Sequence, residues 1–331
     1  MEQMSINLKQ LRNRFVSDMN LPIQVVQSPY FEDRLDLLEE EFGARTKYEK
    51  LLKIIDEKFE GNSTKFLEHY AQVRNDIITK LVGSQKWFDF TTGKIGGKAA
   101  DTRPRHPYKN LYTQEQDSGM FISFDMKKAN FQALKYVDPD LVLGADEYEE
   151  MVGMFTDLDY IKESKYTRQV IFGQMNPKRT MTVEKKIVDE LVDMILEGDS
   201  YLNKIIDFSK FDLFSVNSDE AIFKFNGSEE EFESLEGPKD GYVLMTTVVF
   251  RFNKFKLNHR QFKLATSDSR LNVYQKIDYL DGRRVHLHCV PSTYYPQVYK
   301  LLNGLELKPT DLVFYFEHEL CQFMNPLELV K

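Results

Sequence analysis

The chain has 331 residues, 42% hydrophobic and 29% charged, with a formal net charge of −8. That balance suits a globular protein able to bury the core of one large or two smaller domains. No run of about 18 apolar residues is present, which excludes a spanning helix. The negative balance argues mildly against a nucleic-acid binder, although the field at the site matters more than the net charge. Cys289 and Cys321 form no disulfide framework, and Met1-Glu2-Gln3-Met4-Ser5-Ile6 lacks the apolar core of a signal peptide. A cytoplasmic location and no membrane contact are expected.

Apolar residues at helical spacing predict a helix over 5–19, carrying Leu8, Leu11 and Phe15. Residues 31–60 read as two helices broken near Gly43, and 64–82 as a third closed by Gly83. The segment 83–118 is rich in Gly, Pro, Thr and basic residues and reads as mostly loop. A buried strand is predicted at 119–125, then helices at 128–136, 146–155, 160–172 and 182–196. Residues 211–217 and 220–225 read as two strands joined at Asn217-Ser218. From 241 the pattern turns β-rich, with strands at 242–252, 254–263, 271–279 and 284–290. A helix at 293–303 and a strand at 311–316 close the chain.

Two acidic positions follow apolar runs that read as strands. One is Asp125, after Phe121-Ile122-Ser123-Phe124; the other is Asp219-Glu220, after Phe214-Ser215-Val216-Asn217-Ser218. Brought together by folding, they would offer hard oxygen ligands at one edge of a sheet. Mg²⁺ is held that way, by one or two carboxylates plus substrate phosphates. Between them lies a basic helix with Lys165 and Arg168. The stretch from Lys94 to Lys109 carries Lys94, Lys98, Arg103, Arg105 and Lys109 against Asp101 and could touch nucleic acid.

These residues resemble the motifs of palm-domain polymerases. Asp219-Glu220-Ala221-Ile222-Phe223 is similar to motif C of family A DNA polymerases, with Asn217-Ser218 where that family has a His. Ser123-Phe124-Asp125 followed by Met126-Lys127-Lys128-Ala129-Asn130-Phe131 resembles motif A, with some reverse-transcriptase character. Arg168-Gln169-Val170-Ile171-Phe172-Gly173 is similar to the fingers motif B. The resemblance covers about residues 118–226.

It implies an α+β fold: a palm-like antiparallel sheet (118–235) with small helical fingers inserted at 140–205. A helical region over 1–85, a basic loop over 86–117 and a β-rich region over 236–331 would flank the palm. It implies a compact DNA or RNA polymerase acting on a primer, a template and nucleoside triphosphates, with replication or transcription proteins as further partners. A viral or phage source, and thus a host-cytoplasm or virion location, fits the short length. Asp125 and Asp219 would hold two Mg²⁺ ions, with Mn²⁺ as substitute, and Glu220 would assist. Arg168, Lys165, Phe172, Asn130 and Lys128 would meet the nucleotide. Asn130 stands where the family carries a Glu or an aromatic against the ribose 2′-hydroxyl.

Each feature has a plainer alternative. Asp125 could cap the helix that follows, Asp219-Glu220 could be a polar turn, and Phe172 could be core. Lys165, Arg168 and the 94–109 stretch could be solvated surface. Three other functions stay open: a metal-dependent nuclease using the same carboxylates, a template-independent nucleotidyltransferase, and a palm-like subunit that grips nucleic acid or a partner without chemistry. His286 and His288 share a strand face and would need further ligands to bind zinc, and His318 reads as surface.

Overall fold

The computed structural model describes residues 2–96, 106–264, 269–280, 282–317 and 319–330. The first third is helical: α1 (Glu2–Asp18), α2 (Tyr30–Leu37), α3 (Glu39–Phe42), α4 (Ala44–Phe59), α5 (Ser63–Val82) and α6 (Gln85–Thr91). Gly43, in the left-handed region at φ 61°, makes the predicted break between α3 and α4. Asn62 starts α5 by accepting from the backbone N–H groups of Thr64 and Lys65. The segment read as loop from 83 begins with α6, whose Trp87 and Phe90 are buried.

The central part alternates. Strand β1 (Met120–Met126) leads to α7 (Ala129–Val137), then α8 (Tyr148–Gly153), α9 (Asp159–Glu163), α10 (Lys165–Gly173) and α11 (Pro177–Glu197). The helix predicted over 160–172 is two helices. Ser164 interrupts it, accepting from the N–H of Thr167 while its hydroxyl donates to buried Asp18. The helix predicted from 182 starts at Pro177, a residue suited to the first turn because its missing N–H is not needed there.

Strands β2 (Phe211–Val216) and β3 (Glu220–Phe225) form the predicted hairpin, and α12 (Glu229–Ser234) follows with a capping box from Ser228 and Glu231. Then come β4 (Tyr242–Met245), β5 (Val248–Lys263), β6 (Arg270–Asp278), β7 (Val285–His288), α13 (Tyr295–Leu302), β8 (Val313–Phe316), β9 (Glu319–Gln322) and β10 (Glu328–Leu329). The expected strands 242–252 and 254–263 divide differently. The chain turns at 246–247, and one 16-residue strand runs through Asn253.

The main sheet is antiparallel, in the order β2-β3-β1-β5-β6-β7; β4 and β10 also pair with β5. Register assigns its two faces. Ile122, Phe124, Ala221, Phe223, Phe250 and Phe252 point into the main core shared with the helices. α7 packs on β5 and α11 on β3, so this inner face lies under the helical layer. The alternate residues Phe121, Ile222, Phe255, Leu257 and Tyr274 form a smaller cluster on the outer face, capped by Leu111 and Phe214. The architecture is thus α+β. Among the described residues no helix is long and apolar enough to cross a membrane. The buried carboxylate of Asp311 binds both Arg34 (3.0 Å) and Lys300 (2.6 Å), fastening α2 to the C-terminal part.

Candidate active site at the β1 and β3 edge

The β2–β3 hairpin and the end of β1 bring the two acidic positions together. Asp125 and Glu220 are direct cross-strand partners, so their side chains leave the same face. The Asp219 carbonyl accepts from the Met126 N–H at 2.8 Å, carrying the β1–β3 pairing one residue further. Asp125 is not a helix cap: the residue at the start of α7 is Lys128, in the left-handed conformation.

The site is electrostatically crowded. Burial pushes the Asp125 carboxyl up to about 7, followed by the charges of Glu220 and then Asp219; Lys276 and Arg251 oppose the shift. None of the Asp125, Asp219 and Glu220 side chains has a hydrogen-bond or ion-pair partner among the described residues. Among the described residues these three half-buried carboxylates have no donors, and the nearby charges of Lys276 and Arg251 offset their mutual repulsion only in part, since close like charges disfavour joint ionisation.

Sequence reasoning missed two groups here. Glu184 on α11 is 4% exposed, accepts from Asn130 Nδ2 at 2.6 Å, and is pushed up to about 7 by burial and the charge of Asp219. Its signal was legible: Glu184 lies one turn before Val188 and two before Leu191, on the buried stripe of an amphipathic helix. Lys276 on β6 gave no such signal, since only sheet register places it near Asp125.

The expected nucleotide contacts divide. Arg168 is half-buried on α10, with its guanidinium 5.8 Å from the Tyr148 ring centroid and no hydrogen bond or ion pair to a described residue. Burial lowers its pKa, against the pull of Tyr148, Glu149 and Asp125, so it feels the acidic edge. Lys165 is exposed one turn earlier. Lys128 is ion-paired with Glu149, and Asn130 is held by Glu184. Phe172 is corrected: it is 3% exposed and packs beside Tyr148 in the core, so it offers no ring for a base to stack on. Its apolar neighbours on α10 pull it inward.

The basic stretch divides too. Lys94 pairs with Asp89 at 3.2 Å, at the end of α6. Lys109 stands beside β2, donating its backbone N–H to Ser215 Oγ, with its ammonium 5.7 Å from the Phe214 ring centroid. Lys98, Arg103 and Arg105, like His318, lie outside the described residues. His286 and His288 have separate partners, Glu41 and Tyr112, which does not fit a shared zinc site.

No protein-family model, no curated protein and no solved structure matches this chain. The site must be judged on its own residues. Among the described residues no three or more His, Cys, Asp or Glu side chains form a group able to hold a metal ion by themselves. Mg²⁺ asks for less, because water and substrate phosphates complete its shell. Asp125 and Asp219 are compatible with that demand: Asp125 feels the charge of Asp219, and neither side chain has a hydrogen-bond donor among the described residues.

Proposed function

We propose that the chain is a template-directed nucleotidyltransferase: a compact DNA or RNA polymerase whose palm-like sheet carries Asp125, Asp219 and Glu220. One observation carries the reading. Acidic residues from two distant segments meet at the ends of the neighbouring strands β1 and β3, where Asp125 pairs with Glu220 and feels the charge of Asp219; none of them, nor Arg168 on an intervening helix that feels Asp125, has a hydrogen-bond or ion-pair partner among the described residues. A structural salt-bridge network would have paired these charges; phosphoryl transfer needs them open.

Asp125 and Asp219 would hold Mg²⁺, with Glu220 beside them. Two such ions, when bound, supply charge neutralisation at the transferring phosphate and acidify a 3′-hydroxyl. The chain's own residues do the rest by positioning. Arg168 reaches the triphosphate from the helical side. Lys165, one turn away, extends that positive surface into solvent. The Asn130–Glu184 pair lies beside Asp219 and limits the room for the nucleotide's sugar. The rigid β1–β3 pairing keeps the carboxylates in place, so little reorganisation is needed when charge develops.

The test is primer extension with labelled primer on DNA and RNA templates, with deoxy- or ribonucleotides, with and without Mg²⁺. Product should require Mg²⁺ and vanish in Asp125→Ala and Asp219→Ala proteins that keep their circular-dichroism spectrum. Extension that survives both substitutions overturns the assignment. Degradation of primer without extension would point to a nuclease, and extension of a lone strand to a template-independent transferase.

A further inference from the structure

The outer face of the sheet holds a cation, Lys276, that feels the charges of Glu220, Asp125 and Asp278 yet makes no ion pair with any of the described residues. Lys276 pairs across the sheet with Leu257 on β5 and His286 on β7. By the same register it shares a face with Asp125, Arg251 and Phe255. Its Nζ lies 4.0 Å from the Phe255 ring centroid, closer than any other cation–ring pair among the described residues. It has no hydrogen bond or ion pair to a described residue. An ammonium that gives up water for a ring face keeps unused donors, which an anionic ligand could fill.

Its surroundings suit one kind of anion. Tyr112 stacks on His288 at 4.8 Å and donates or accepts a 2.9 Å hydrogen bond with its Nδ1. Tyr274 adjoins Tyr112 at 5.6 Å and His259 at 5.2 Å. Lys109 flanks the same cluster over Phe214. Arg251 is exposed opposite Asp125, also without a hydrogen bond or ion pair to a described residue. Tyr274 and Phe214 are buried in this cluster, which leaves half-buried Tyr112 and His288 as the rings beside these basic side chains that a nucleic-acid strand could meet.

Resting on the polymerase reading, we infer that Lys276 binds a backbone phosphate of the strand being extended and holds its 3′ end against Asp125. The placement distinguishes it from Arg168. Arg168 approaches the carboxylates from the helical layer beside Tyr148, whereas Lys276 approaches from the outer face beside Phe255. The two substrates thereby have separate cations, on opposite sides of the carboxylates.

The test compares wild type with Lys276→Met, Lys276→Arg and Arg251→Gln. A fluorescent primer–template is titrated by anisotropy at several salt concentrations, and extension is measured over nucleotide and primer series. Lys276→Met should weaken primer–template binding about 10-fold and flatten its salt dependence by about one released ion. The nucleotide KM should stay within about two-fold, Lys276→Arg should restore most of the binding, and exposed Arg251→Gln should weaken it about three-fold. Unchanged primer–template binding in Lys276→Met overturns the inference, as does a defect confined to the nucleotide KM. Should Lys276→Met fail to fold, Lys276→Gln takes its place, and unchanged primer–template binding by that variant overturns the inference. Failure of the polymerase reading looks different: the wild type binds primer–template and extends nothing.

Discussion

Asp18 and Asp125 are both carboxylates raised by burial, yet they sit in opposite kinds of surroundings. Asp18, 1% exposed, accepts from Tyr70 at 2.6 Å, Ser164 at 2.8 Å and Tyr160 at 2.8 Å. Its desolvation is offset by three hydroxyls and by the charge of Arg14. Asp125 has no such donors among the described residues and is raised further by Glu220 and Asp219. The first joins α1, α5, α9 and α10 and sets the break at Ser164. The second is left incomplete by the fold. Buried acids that hold structure are surrounded by donors; one kept for a ligand is not.

The largest effect should come from Asp125→Asn. Extension should fall on the order of a thousand-fold or more, while thermal stability without Mg²⁺ stays level or rises, because a repelled charge has been removed. Added Mg²⁺ should raise the melting temperature of wild type and not of this variant. A clear loss of stability in Asp125→Asn would break the contrast with Asp18.

Next is Asp18→Ala, which leaves the hydroxyls of Tyr70, Tyr160 and Ser164 without their shared acceptor. A loss of about 3 kcal/mol in denaturant unfolding is expected. A change under about 0.5 kcal/mol would show that the network contributes little, and the comparison would then lose its structural half.

Acid should separate the regions further. Burial, with help from Lys276 and His286, lowers His288 to about 4. Its folded state therefore favours the neutral ring. That contribution is complete above the unfolded value of about 6.5 and is lost as pH falls towards 4, by up to about 3 kcal/mol. Burial raises Asp18, so protonating it does not destabilise the folded state over this window. His288→Gln should flatten the acid limb of a stability–pH curve; an unchanged limb would assign the sensitivity elsewhere.

The smallest effect belongs to Lys94→Ala. Its partner Asp89 lies on α6 at the surface, so stability should move by less than about 0.5 kcal/mol. Extension should change less than two-fold, roughly the limit for a residue outside the substrate path. A ten-fold loss of primer binding would extend the nucleic-acid surface to α6.

Local patterns in the chain determined much of this molecule. The stripes of α4, α5 and α11, the break at Gly43, the hairpin around Asn217-Ser218 and the strand ending at Asp125 are short-range consequences of apolar spacing and turn chemistry. So was the suspicion that Asp125 and Asp219-Glu220 belong together, since acids after apolar strands seldom serve the core. Only the tertiary structure decided what those patterns mean. It split the 160–172 helix because distant Asp18 recruits Ser164, and it ran β5 through Asn253 because both edges of that strand find partners. It withdrew Phe172 into the core, and it brought Glu184 and Lys276 to the acidic edge through helix packing and strand register. Periodicity reports which face of an element is buried; it carries no information about which other face will meet it, because that depends on contacts between residues far apart in the chain.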